Sequence, residues 1–218
     1  MDVEFGSLLE PLQSYAREIA TSHDEISPAR QEVLREVAVT IRRHLEADPH
    51  ADLTFICTHN SRRSHLGQVW AQTAATVYEL PAGRLRTFSG GTEVTACNIR
   101  TVRALRRAGL SIVEAEPNGG NPRYLVQYAE QEDPLLVFSK VYHQDGNPTS
   151  DYIALMCCSD ADEKCPVVTG ATERCALYYE DPKLADETPQ EEAVYDQRCR
   201  QIAIEMFFMI ACVQEQLG

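Results

Sequence analysis

The chain opens with two stretches whose apolar residues recur at helical spacing. Leu8, Leu12, Tyr15 and Ile19 form one set, and Leu34, Val37, Ile41 and Leu45 form another. Residues three and four apart share one face of a helix, so each set predicts an amphipathic helix. Ser27-Pro28 supplies an N-cap followed by proline at the first helical position, and Asp48-Pro49 closes the region. Residues 1–50 are therefore expected to form a helical hairpin packed as an N-terminal extension on a main domain spanning 51–218.

From Asp52 the pattern changes. Leu53–Cys57 is a short apolar run with β-branched and aromatic members, which predicts a buried strand. A polar loop follows, and Leu66, Val69, Trp70 and Val77 then mark a helix that ends near Pro81. Leu85–Phe88 reads as a second strand running into Ser89-Gly90-Gly91. Ile99, Val102 and Leu105 mark another helix, stopped by Gly109. Pro117–Gly146 is rich in turn residues, with one apolar run at Leu135–Phe138, and reads as an insertion or irregular edge. Tyr152–Met156 and Ala176–Tyr179 are the third and fourth strands. Thr188-Pro189-Gln190-Glu191 provides an N-cap, a proline and a capping-box acid for a long last helix. Strands that alternate with helices predict an α/β fold with a parallel sheet covered on both faces.

Composition narrows the function. With 218 residues the chain is one enlarged domain rather than two. A formal net charge of -13 argues against a nucleic-acid partner. The longest apolar stretch, Ile202–Val213, is too short to span a bilayer and contains Glu205, so no membrane association is expected. Met1–Glu10 lacks the basic start and apolar core of a secretory signal. The eight cysteines are spread through a chain with its own core, which predicts a reducing cytoplasm in which any disulfide is transient.

One segment concentrates the chemistry. Cys57-Thr58-His59-Asn60-Ser61-Arg62-Arg63-Ser64 has the spacing C-x5-R-S, at the end of a predicted strand and ahead of a helix. There the amides of Thr58, His59, Asn60, Ser61 and Arg62 can converge on an oxyanion, because a helix N-terminus favours negative charge. Arg63 can close the cradle with two parallel donors. The same field favours the thiolate of Cys57, the nucleophilic form, and Ser64 can donate to the sulfur. The spacing alone is weak, since Cys97 and Arg103 match it too. The alternative is a core cysteine beside two surface arginines.

The strand and C-x5-R-S loop, followed by Phe88-Ser89-Gly90-Gly91-Thr92-Glu93 and Asn98, resemble the low-molecular-weight protein tyrosine phosphatase superfamily. That superfamily includes the thioredoxin-coupled arsenate reductases. The resemblance runs from about Leu53 to Met209, interrupted by 117–146. It implies a three-layer α/β sandwich around a four-stranded parallel sheet. It is sharpest at Cys158-Ser159-Asp160-Ala161-Asp162-Glu163-Lys164-Cys165, similar to the reductase branch, where a strand-end cysteine and a second one seven positions later carry redox chemistry.

The resemblance implies that Cys57 attacks arsenate, that Cys158 and Cys165 complete a thiol–disulfide relay, and that thioredoxin or a similar dithiol reduces the product. Asp181, in Glu180-Asp181-Pro182, matches the general acid of the phosphatase branch, where a phosphomonoester is the substrate. A non-catalytic oxyanion-binding protein is a third reading. A zinc site at Cys157, Cys158, Cys165 and Cys175 is a further alternative, but it lacks the short C-x2–4-C knuckle. No metal or cofactor is expected, and Gln68 stands where some reductases carry an acid that helps to hold potassium. Cys157, Cys175, Cys199 and Cys212 read as core packing. His59 stands where relatives usually have glycine, which places a positive φ there. Arg62, where many relatives have cysteine, is expected to point to solvent, and His65 to lie on the helix surface.

Overall fold

The computed structural model describes residues 3–116, 119–144, 146–164 and 167–215. At its centre is a parallel sheet of β1 (Ala51–Cys57), β2 (Leu85–Gly91), β6 (Tyr152–Met156) and β7 (Ala171–Ala176), in the order β2-β1-β6-β7. Every residue of β1 is buried. A central parallel strand is covered on both faces, which is why this one reads as a continuous apolar run rather than an alternation. Its one charged residue, Asp52, is held by Arg86 of β2 at 2.6 Å.

The flanking helices are α1 (Glu10–Thr21), α2 (Pro28–Ala47), α3 (Arg63–Val77), α4 (Ile99–Arg107), α5 (Ser159–Lys164) and α6 (Glu191–Glu215). Helix α6 is buried almost throughout from Ile202 to Val213 and forms the floor against which α1, α2, α3 and α4 pack. Its Glu205 is neutralised by Arg30 of α2 at 2.8 Å, as burial of a carboxylate requires. Tyr15 of α1 stacks on Trp70 of α3 with centroids 5.5 Å apart, and Trp70 meets Phe207 of α6 edge-on at 6.4 Å. The N-terminal helices thus share the core of the sheet, each lying on α6. Ser27 caps α2 as its sequence predicts, with its side chain accepting from Arg30 N.

Two elements differ from the sequence expectation. The fourth strand is Ala171–Ala176, not Ala176–Tyr179. It is an edge strand whose residues alternate between half-buried and exposed, so polar Thr172, Glu173 and Arg174 hide it. The buried Leu177 and Tyr179 follow it as an extension, held by Leu177 N to Met156 O (2.8 Å) and Tyr179 N to Cys157 O (3.1 Å). The region expected to be irregular is partly ordered as an antiparallel sheet, β3 (Ser111–Glu116), β4 (Arg123–Gln127) and β5 (Leu135–Val137). These strands are short and separated by turn residues, which masks their pattern.

No helix among the described residues is long and apolar enough to cross a membrane.

Candidate active site

Strand β1 delivers Cys57 to the carboxyl edge of the sheet, and the chain from Thr58 to Arg62 turns back into α3. The carbonyls of this loop are taken up from outside. Cys57 O accepts from Thr92 N (3.2 Å), Thr58 O from Glu93 N (2.9 Å), His59 O from Ser139 Oγ (2.8 Å) and Ser61 O from Asn98 N (3.0 Å). None of the backbone amides from Thr58 to Arg63 donates to an acceptor among the described residues. Carbonyls fixed outward with amides left over is the arrangement of an anion nest, and its position at a helix N-terminus adds the helix dipole.

Gly90 and Gly91 allow the close packing around the loop. A Cβ on Gly91 would stand 2.8 Å from both Asn60 N and Thr58 O, and one on Gly90 would stand 2.2 Å from Tyr142 Cα. Any side chain at either position would push the neighbouring backbone away.

Asn60 is the pivot of the loop. Its φ of 44° is in the left-handed region, and it is the loop residue that turns the chain. This corrects the expectation for His59, which is not among the residues with positive φ. Asparagine tolerates that region better than most residues. Its Oδ1 accepts from Lys140 N at 3.0 Å, so its Nδ2 faces Ser64 Oγ at 2.9 Å. Ser64, accepting there, keeps its own proton to donate to Cys57 Sγ at 3.0 Å.

Arg63 opens α3 and is 9% exposed. Its Nη1 donates to Tyr179 O (3.0 Å) and its Nη2 to Asp181 Oδ2 (2.7 Å). Its buried Nε has no acceptor among the described residues. Asp181 in turn accepts from Lys183 N on Oδ1 at 3.0 Å, capping a short 3-10 turn, Pro182–Ala185. The cysteine loop and Asp181, 118 residues apart in sequence, thus meet through one guanidinium.

Cys158 lies just past β6 and is 3% exposed. Its Sγ is 3.5 Å from Thr58 Oγ1, so the second thiol adjoins the cysteine loop. Helix α5 follows it and is tied to β7 and the chain just after it, with Asp162 paired to Arg174 at 2.6 Å and accepting from the Tyr178 hydroxyl. Cys165 lies outside the described residues. Among the described residues no cluster of His, Cys, Asp and Glu is placed to hold a metal.

Two side chains depart from expectation. Arg62 does not reach solvent: it is 8% exposed, with Nε donating to Tyr195 OH (2.6 Å) and Nη2 to Asp186 Oδ2 (2.9 Å). His65 is fully buried rather than on the helix surface, with Nδ1 3.0 Å from Ser89 Oγ. Burial, reinforced by the nearby Lys140 charge, pushes its pKa down to about 3, so the ring is neutral. Cys175 is half-buried on the edge strand and packs against the core from there. Cys157, Cys199 and Cys212 are buried, and burial pushes the Cys199 thiol up to about 12. The Arg62 and His65 positions follow from Asp186, Tyr195 and Ser89, partners that no local spacing in the sequence reveals.

No model of a known protein family matches the chain. Among proteins of known annotation, the arsenate reductase of Bacillus licheniformis is 27% identical over 146 residues, covering 67% of this chain and 84% of that protein. The arsenate reductase of Bacillus subtilis is 24% identical over the same length, and arsenate reductase 2 of Staphylococcus epidermidis 25% over 128 residues, 59% of this chain and 76% of that protein. Among solved structures, a low-molecular-weight phosphotyrosine phosphatase of Vibrio cholerae O395 superposes with a TM-score of 0.53 at 11% identity. The match covers 76% of this chain and 98% of that one. The chain therefore has the low-molecular-weight protein tyrosine phosphatase fold. Its sequence likeness is to the arsenate reductases.

Proposed function

We propose that this chain is an enzyme that reduces arsenate to arsenite by a relay of three thiols. The observation that carries the proposal is the placement of Cys158 Sγ 3.5 Å from Thr58 Oγ1, inside the same loop that begins with Cys57. Hydrolysis through a cysteinyl-phosphate does not call on a second thiol. Cys57 attacks arsenic while the amides of Thr58–Arg62 and the Arg63 guanidinium hold the oxyanion, and one arsenate oxygen leaves as water. Asp181 supplies the proton for that oxygen. Cys158 then attacks the Cys57 sulfur. The sulfur–arsenic bond breaks with its electron pair staying on arsenic, which leaves as arsenite, and a Cys57–Cys158 disulfide remains. Exchange with the thiol of Cys165 frees Cys57 and moves the disulfide to Cys158–Cys165. Thioredoxin or a similar external dithiol returns it to two thiols.

The test is arsenate turnover with thioredoxin as reductant, beside a single turnover without thioredoxin followed by mass spectrometry. One turnover is expected to leave a Cys158–Cys165 disulfide and one released arsenite. A fully reduced protein with no arsenite formed would overturn the reductase. The second reading is hydrolysis of a phosphomonoester through a cysteinyl-phosphate on Cys57. The Arg63–Asp181 ion pair beside the loop supports this reading as well as the first, and hydrolysis calls on neither further cysteine. Steady turnover of an aryl phosphate by a Cys158→Ser, Cys165→Ser variant, with no arsenate reduction by the unaltered protein, would establish it. Binding of arsenate or phosphate with no turnover of either would leave an oxyanion-binding protein.

A further inference from the structure

We infer that Arg62 is a positioning residue: through Tyr195 and Asp186 it clamps the segment that carries Asp181 onto the anion loop. The inference rests on Cys57 chemistry with Asp181 as the acid, and it holds for either substrate.

The buried Arg62 side chain is the hub of a set of half-buried charges. Its Nη2 is 2.9 Å from Asp186 Oδ2 and its Nε is 4.0 Å from Asp181 Oδ1. Asp181 and Asp186 flank the turn Pro182–Ala185, so one guanidinium is bonded to the far end of that turn and stands within ion-pair distance of the near end. Tyr195 of α6 completes the arrangement. Its hydroxyl accepts from Arg62 Nε at 2.6 Å and donates to Asp186 Oδ1 at 2.7 Å, which fixes the direction of both bonds. Arg100 of α4 adds a second cation 3.7 Å from Asp186 Oδ1 and is itself paired with Glu191 at 2.7 Å. Side chains from the cysteine loop, α4, α6 and the turn thereby share one ionic cluster.

A charged group so buried costs several kcal/mol in desolvation, by order of magnitude, and is kept only where its partners are well placed. The gain lies in the geometry of Asp181. A general acid contributes roughly 10²–10⁴-fold, and only within hydrogen-bond reach of the leaving oxygen. Arg63 Nη2 bonds Asp181 from one side, but that guanidinium also has to serve the oxyanion. When it does, Arg62 is the remaining cation beside the acid. Arg62 therefore keeps Asp181 over the loop during the step in which its other partner is engaged elsewhere.

The test uses Arg62→Met, Tyr195→Phe and Asp181→Asn beside the unaltered protein. Leaving-group dependence separates positioning of an acid from general damage, since 4-nitrophenolate leaves without much help and phenolate does not. For Arg62→Met and Tyr195→Phe we expect kcat on phenyl phosphate to fall about tenfold or more, with 4-nitrophenyl phosphate changed by less than about threefold. Asp181→Asn is expected to show the same split, larger. Equal losses on both substrates overturn the inference, as do no losses on either.

Amide hydrogen exchange provides a readout that needs no turnover. Lys183 N, bonded to Asp181 Oδ1, is expected to exchange faster in Tyr195→Phe while amides of β1 are unchanged. Unaltered exchange at Lys183 overturns the clamp. Absence of any Cys57-dependent chemistry in the unaltered protein would instead overturn the function proposed above, with the exchange result still deciding the clamp.

Discussion

Cys57–Arg63 and Cys97–Arg103 carry the same spacing of residues, and each stands close to the start of a helix. In the first, five residues of loop separate the cysteine from α3, and their amides have no acceptor among the described residues. In the second, the helix begins two residues after the cysteine. Asn98 caps it through Arg100 N at 2.9 Å, and Val102 N already bonds Asn98 O at 3.2 Å. Arg103 is exposed, and burial pushes the Cys97 thiol up to about 12. The two stretches also meet: Asn98 N and Thr101 Oγ1 both donate to Ser61 O, so the second braces the first from outside. A cysteine and an arginine at this separation become a site only when the amides between them are withheld from a helix.

The largest effect that can break this contrast is loss of the nucleophile. Cys57→Ser is expected to reduce arsenate reduction and aryl phosphate cleavage by about 10⁴-fold or more, while Cys97→Ser retains both within a few-fold. Equal losses in steady-state assays would erase the distinction. Next comes the relay: Cys158→Ser is expected to stop multiple-turnover arsenate reduction with thioredoxin while sparing phosphate cleavage, as measured by arsenite release per enzyme.

The loop's own geometry is the third target. Asn60→Ala removes the bonds to Ser64 Oγ and Lys140 N and puts alanine at a φ of 44°, with an expected loss of about 2–3 kcal/mol in urea unfolding. Asn60→Gly restores the backbone but not the side chain, so it is expected to recover about 1 kcal/mol of that loss without recovering activity.

The smallest effect concerns the wall behind the loop. His65 has its folded pKa lowered to about 3 from 6.5, so between those values the unfolded chain binds a proton that the native one does not. Stability should therefore fall as pH drops below about 6.5, by up to about 1.4 kcal/mol per unit. Unfolding at pH 7 and 5 is expected to show up to about 2 kcal/mol more loss in the unaltered protein than in His65→Gln. An equal loss would mean that the buried ring is not responsible.

How much of this was legible beforehand follows from where the information resides. The strand ending at Cys57 and the helix from Arg63 could be read because a central parallel strand is apolar on both faces and a helix has a period. The edge strand at Ala171–Ala176 could not, since half its residues face water and Thr172, Glu173 and Arg174 interrupt its apolar pattern. The small antiparallel sheet at 111–137 was obscured for a similar reason, its strands being short and set among prolines and glycines. Asn60 was readable as part of the loop but not as its left-handed residue. That depended on Lys140 arriving from a distant segment to fix which way its amide points.

The sequence by itself determined the order of strands and helices, the C-x5-R-S loop at a strand end, and the spacing of Cys158 and Cys165 that marks the reductase resemblance. These are local or fixed-length properties, carried by hydrophobic period, turn chemistry and motif. Only the tertiary structure decided that Arg62 is buried in an ionic cluster, that His65 is neutral in the core, and that Cys158 and Asp181 converge on Cys57's loop. Those facts depend on which distant groups occupy the neighbouring space. A charged side chain goes to solvent or to the interior according to whether a partner waits there, and no spacing along the chain encodes that partner.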